Sequence, residues 1–183
     1  GHAVAALADP PRPWIEEVSI IDQPEARLGY FSCPALWQPY MAEVTAPAEA
    51  MDAWRVLAWR DVIEYLAGPI AELRWKRYSR AAIWLGADEF AGHCFGEPGP
   101  KEGTDLGCVK ARLSWARPDD ERDAFCEAWI ETEELVARHW RAIVGIGRLL
   151  HRHGRLRGEE LREAWYSFLP AHSAISSCWE AIV

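Results

Sequence analysis

The chain has 183 residues, half of them apolar and 26% charged, which is enough for one packed domain and short for two ordinary ones. Twenty basic against 28 acidic residues give a net charge of −8, which argues against a nucleic-acid or anionic-membrane partner, and no apolar run reaches the length of a membrane span. Five cysteines at irregular spacings make no disulfide framework and point to a reduced, cytoplasmic setting, while 13 glycines and 12 prolines without period exclude collagen-like chains.

Residues 3–8 are helix formers that stop at Asp9-Pro10-Pro11, because proline removes a donor and restricts its predecessor. So short a helix is marginal alone, and we expect it to be the end of a longer one that starts ahead of Gly1. Trp14 to Ile21, rich in β-branched residues, predicts a strand. A turn set at Asp22 to Glu25 precedes a second strand, Leu28 to Cys33.

From Ala48 to Arg77 strong helix formers dominate, with Trp54, Val56, Leu57, Ile63, Leu66, Ile70 and Leu73 at near-helical spacing. Gly68-Pro69 interrupts them and predicts a kink or a junction of two helices. Arg80 to Gly86 is ambiguous, and Phe95 to Gly103 is a loop. Thr104 then caps a helix over Asp105 to Trp115, with Asp105 in the first turn where an anion is favoured. Asp119 to Arg152 predicts one long amphipathic helix with Phe125, Trp129, Val136, Trp140, Ile143 and Leu150 on its inner face. His151, Arg152, His153 and Gly154 form its C-terminal end, and a short helix follows from Gly158.

The segment Gly1-His2-Ala3-Val4-Ala5 has the form of a zinc-protease helix just after the second histidine of H-E-x-x-H. Residues four apart share a helix face, so that motif lets two imidazoles hold one zinc while the intervening Glu acts as base. Only its second half is present in this chain. A terminal Gly-His is also what a tag leaves behind.

The order of the blocks that follow resembles the peptidase domain of FtsH-type zinc metalloproteases. Glu17-Val18-Ser19-Ile20-Ile21 and Leu28-Gly29-Tyr30 are similar to that family's K-V-S-I-I strand and L-G-Y/V. Leu66 to Leu73 is similar to L-A-G-x-x-A-E-E-L, Thr104-Asp105-Leu106 to N-D-L, and Leu156 to Leu161 to L-T-G-E-E-L. The resemblance covers roughly residues 1–165. It implies zinc as cofactor, His2 and Asp105 as metal ligands, and Glu72 as an outer group orienting a ligand histidine. The first ligand histidine and the catalytic Glu would lie ahead of Gly1, so no catalytic residue is expected inside the chain.

The implied fold is mostly helical α+β: a truncated zinc helix, a small sheet or hairpin, and about four further helices. Residues 1–170 would form a single domain and 171–183 a tail. The implied function is zinc-dependent peptide hydrolysis on peptide or protein substrates, inactive in this chain. The alternative is a non-catalytic interaction domain on a degenerate peptidase scaffold. Two departures stand out. No G-x-x-x-x-G-K-[ST] occurs, so the family's ATPase module is missing and unfolding would fall to a separate unfoldase partner. The connection Arg74 to Gly103 is also longer than the family pattern. Elsewhere His93, Cys94 and Cys108 lack paired-ligand spacing, His139 reads as a core-edge histidine within the long helix, and no G-x-S-x-G appears.

Overall fold

Helix formers with few interruptions build most of this chain, and the strands are short. The computed structural model describes residues 1–8, 17–19, 30–32, 48–117 and 119–169. In chain order they form α1 (His2–Ala8), β1 (Glu17–Ser19), β2 (Tyr30–Ser32), α2 (Ala48–Trp75), α3 (Arg80–Phe95), α4 (Asp105–Ala116), α5 (Glu121–Arg138), α6 (Trp140–His153), β3 (Arg155–Arg157) and α7 (Gly158–Phe168). The class is α+β and mostly helical, as expected. Among the described residues no helix is long and apolar enough to cross a membrane. The chain divides into two compact units, Gly1–Ala5 with Ala35–Arg138, and Ala6–Pro34 with His139–Val183.

The first unit is a helical cluster in which α2 packs against α4 and α5, and α3 against α5. Its core holds Val4, Val62, Leu66, Ile70, Ile83, Val109, Leu113, Phe125, Trp129 and Val136. Trp129 is fully buried, stacks with Phe125 and Phe90, and donates its indole N–H to the Ile83 carbonyl at 2.9 Å. Ser79 caps α3 by accepting from the Ala82 amide, which turns the ambiguous Arg80 to Gly86 stretch into the first half of a helix.

Glu133 is a buried carboxylate in the same core. It accepts from Arg80 Nε at 2.9 Å, from Arg74 at 3.4 Å and from the Trp84 indole at 3.4 Å, so α2, α3 and α5 converge on one charge. Cys94 is also buried and donates its thiol to the Leu106 carbonyl at 3.7 Å; burial pushes it up to about 11. The native chain at pH 8 should therefore spare Cys94 from iodoacetamide, as read by mass spectrometry, and modify it once unfolded. Its folded pKa lies above the unfolded one, so its contribution to stability is lost as pH rises past the ordinary thiol range towards 11.

The second unit carries a three-stranded antiparallel sheet of order β2-β1-β3, with Val18 opposite Phe31 on one side and Leu156 on the other. β3 was not expected; Leu156 is buried within it, and Glu17 pairs with Arg155 and Arg157. α6 and α7 pack together, with the Phe168 ring against Gly145 so closely that a Cβ there would sit 2.3 Å from it.

Two expectations are revised. Of the kink or helix junction expected at Gly68-Pro69, the junction does not form, and α2 runs through as one helix. Proline removes one donor and frees the carbonyl four residues back, a loss that a 28-residue helix with a buried face can absorb. The helix expected over Asp119 to Arg152 is two helices, parted at His139, whose backbone sits at φ −102°, ψ 16°. The buried face of α5 (Phe125, Trp129, Val136) and that of α6 (Ala142, Gly145, Ile146) differ by about a third of a turn at 3.6 residues per turn. Trp140 and Ile143, expected in the core, are only half-buried. The His139 ring instead lies 5.0 Å from the Trp165 ring. Ile20, Ile21 and the outer parts of both predicted strands fall outside the described residues, as does the 171–183 tail.

Candidate metal site

In the first unit the starts of α1 and α4 meet the body of α2 around the His2 imidazole. The backbones of α1 and α2 come so close that a Cβ on Gly1 would lie 2.0 Å from the Ala67 carbonyl oxygen. Only glycine fits there. One residue on, the His2 ring lies across Gly68 of α2, where a Cβ would sit 2.3 Å from Nε2. The two glycines make room for the ring, and the Tyr65 ring meets it edge-on at 6.5 Å.

His2 Nδ1 is 2.7 Å from the Glu64 carbonyl oxygen. A carbonyl can only accept, so Nδ1 carries a proton and donates. Nε2 faces a second acceptor, Asp105 Oδ2, at 3.4 Å. With that proton on Nδ1, Nε2 turns its lone pair towards the carboxylate, a pairing that one cation bound to both would satisfy. Two ligands bound at about 2.0–2.2 Å to one tetrahedral ion stand about 3.3–3.6 Å apart, and the His2–Asp105 separation falls in that window. A carbonyl on the far ring nitrogen is the usual way a ligand histidine has its tautomer fixed.

Thr104 sets Asp105 in place. Its hydroxyl accepts from the Gly107 amide at 3.2 Å and donates to the Lys101 carbonyl at 2.6 Å, so the loop closes against the first turn of α4. The Asp105 side chain is 47% exposed, open to solvent on the side away from His2. First-turn acid and candidate ligand are here the same residue.

Sequence reasoning named His2 and Asp105, and the fold brings them together. Glu72 is exposed, pairs with Lys76 one turn along α2, and lines an open cleft of about 560 Å³ with Leu73, Phe90, Thr104 and Asp105. The Glu64 main chain holds His2 Nδ1. The long connection Arg74 to Gly103 supplies α3 and the loop that form one wall of this cleft.

Behind the site the interface of α2 and α4 is polar. Arg112 donates to Asp61 at 2.9 Å with both side chains largely buried. Burial and the neighbouring Cys108 push the Tyr65 phenol above its usual range. His93 is exposed and reaches Glu89, away from Cys94, so the His93, Cys94 and Cys108 set does not assemble. Among the described residues no three His, Cys, Asp or Glu side chains converge as a complete metal site. Glu64 and Gly68 escaped the sequence reading as site residues; the glycine in Leu66-Ala67-Gly68 was the available signal. The chain matches no protein-family model, and comparison with curated proteins gives no match.

Proposed function

We propose that this chain is the greater part of an FtsH-like zinc metallopeptidase domain, with His2 and Asp105 as two of its metal ligands. The observation that supports it most is the 3.4 Å approach of Asp105 Oδ2 to His2 Nε2 while the Glu64 carbonyl holds Nδ1. Zinc, when bound, supplies a Lewis acid that polarises a scissile carbonyl and makes water a nucleophile near neutral pH. The chain's own residues do the rest. Glu64 fixes the His2 tautomer, Gly1 and Gly68 admit the ring, and Thr104 anchors the turn that carries Asp105. The cleft lined by Leu73, Phe90 and Leu106 lies beside Asp105 and suits a peptide side chain.

The other ligand histidine and the general-base Glu belong, in this reading, to the helical turn ahead of Gly1. Peptide or protein is the substrate class, with unfolding left to a separate partner. The thiols of Cys94, Cys108 and Cys126, free in the structure, suit a cytoplasmic setting.

Zinc titration and short-peptide cleavage test this. The chain from Gly1 should bind zinc weakly and cleave nothing, because two ligands make a poor site. A chain extended ahead of Gly1 by His-Glu-Ala and further helix should bind zinc far more tightly and cleave short peptides. In it Asp105→Ala should lower zinc affinity and abolish cleavage. Cleavage that persists in Asp105→Ala sinks the ligand assignment. An extended chain that holds zinc yet leaves a broad peptide library intact favours the interaction-domain alternative, to which the exposed Trp75, Tyr78, Trp84 and Leu85 lend support.

A further inference from the structure

Residues 135–158 contain six arginines and no acid, in a chain whose net charge is −8. Basic charge is therefore segregated, and the rest of the chain is more acidic than the whole. Two of the six, Arg155 and Arg157, are held by Glu17. Three others lie on α6: Arg141, Arg148 and Arg152, all exposed. Among the described residues none of these three has an ion-pair or hydrogen-bond partner.

Their spacing places them on one line. At 3.6 residues per turn and 1.5 Å per residue they share an arc of about 40° and extend over about 16 Å. Ala142, Gly145, Ile146 and Leu150, on another side of α6, are buried. The helix thus offers a cationic stripe to solvent. All three are arginines, whose fork of donors matches carboxylates two at a time.

We infer that the Arg141–Arg148–Arg152 stripe of α6 docks a short acidic segment of a partner protein. Charge complementarity selects a carboxylate-bearing partner, and a long polyanion is disfavoured by the field of a chain whose net charge is −8. A carboxylate-rich peptide about as long as the stripe can pair with its three arginines. The inference is independent of the peptidase reading, since it uses neither His2 nor Asp105.

Fluorescence anisotropy with a labelled octaglutamate peptide tests it on the chain as it stands. Binding should be saturable and should weaken about tenfold between low and physiological salt, as screening of a multi-charge contact requires. The triple variant R141Q/R148Q/R152Q should lose at least about tenfold in affinity with an unchanged circular dichroism melt, since all three side chains are exposed. Arg148→Glu alone should lose several-fold, which covers the case in which the triple variant misfolds. Arg122→Gln, an exposed arginine on α5, should leave affinity unchanged. Equal binding by parent and triple variant overturns the inference, as does no binding by the parent. Tighter binding of a duplex oligonucleotide or of phosphatidylserine vesicles than of the peptide also overturns it.

Discussion

Replacing Trp129 with alanine should cost the chain about 3–5 kcal/mol, a large share of the stability of an ordinary domain. The side chain is fully buried between Phe90 and Phe125, so its removal leaves a cavity between α3 and α5 rather than a groove that solvent can fill. Trp129→Phe keeps most of the volume and loses the indole bond to the Ile83 carbonyl, and should cost about 1–2 kcal/mol. Urea melts of the two variants decide the matter. A loss below about 1 kcal/mol for the alanine variant would mean that the aromatic cluster does not organise this unit.

Gly68→Ala should damage the proposed metal site without destabilising the fold in proportion. In the middle of α2, alanine is favoured over glycine by about 1 kcal/mol, which offsets part of the packing cost. The new Cβ, however, would stand 2.3 Å from His2 Nε2, and the ring must leave its place opposite Asp105. Zinc affinity should fall about 10–100-fold, the range seen when groups that orient a ligand are lost. The measurement is a zinc titration alongside the His2 ring resonances, with thermal melting as control. A Gly68→Ala variant with unchanged affinity and unchanged ring shifts would show that the ring is not seated on α2 as described.

Much of this architecture was legible in the chain because the signals were local. Thr104 before Asp105 announced a capped helix, and Gly154 announced a stop; both hold, Gly154 with φ of 75°. What failed was whatever depended on the partner of a face. The stripe Phe125, Trp129, Val136, Trp140, Ile143 and Leu150 looked continuous because all six fall on one side of an ideal helix. The two halves serve different cores, and Ala142, Gly145 and Ile146 carry too little bulk to reveal the change of phase. β3 was missed because three residues between a helix stop and a helix start carry no periodicity, and its pairing with β1 is long-range. At the candidate metal site the His2 and Asp105 side chains were readable, whereas the Glu64 carbonyl was not, since a main-chain acceptor leaves no trace in residue identity.

The Glu133 carboxylate has a consequence for how the first unit breathes. Arg74, Arg80 and Trp84 reach it from α2 and α3, and it is sealed from solvent on α5. If α3 peeled away alone, that charge would lose two of its three donors, Arg80 and Trp84, and keep only Arg74, which is costlier than exposing an equal area of alanine. Partial opening is therefore penalised and joint opening of α3 and α5 favoured. Amide protons of the two helices should exchange with deuterium as one cooperative group, although the outer face of α3 carries exposed Trp84 and Leu85 and would, by its own contacts, be the first to fray.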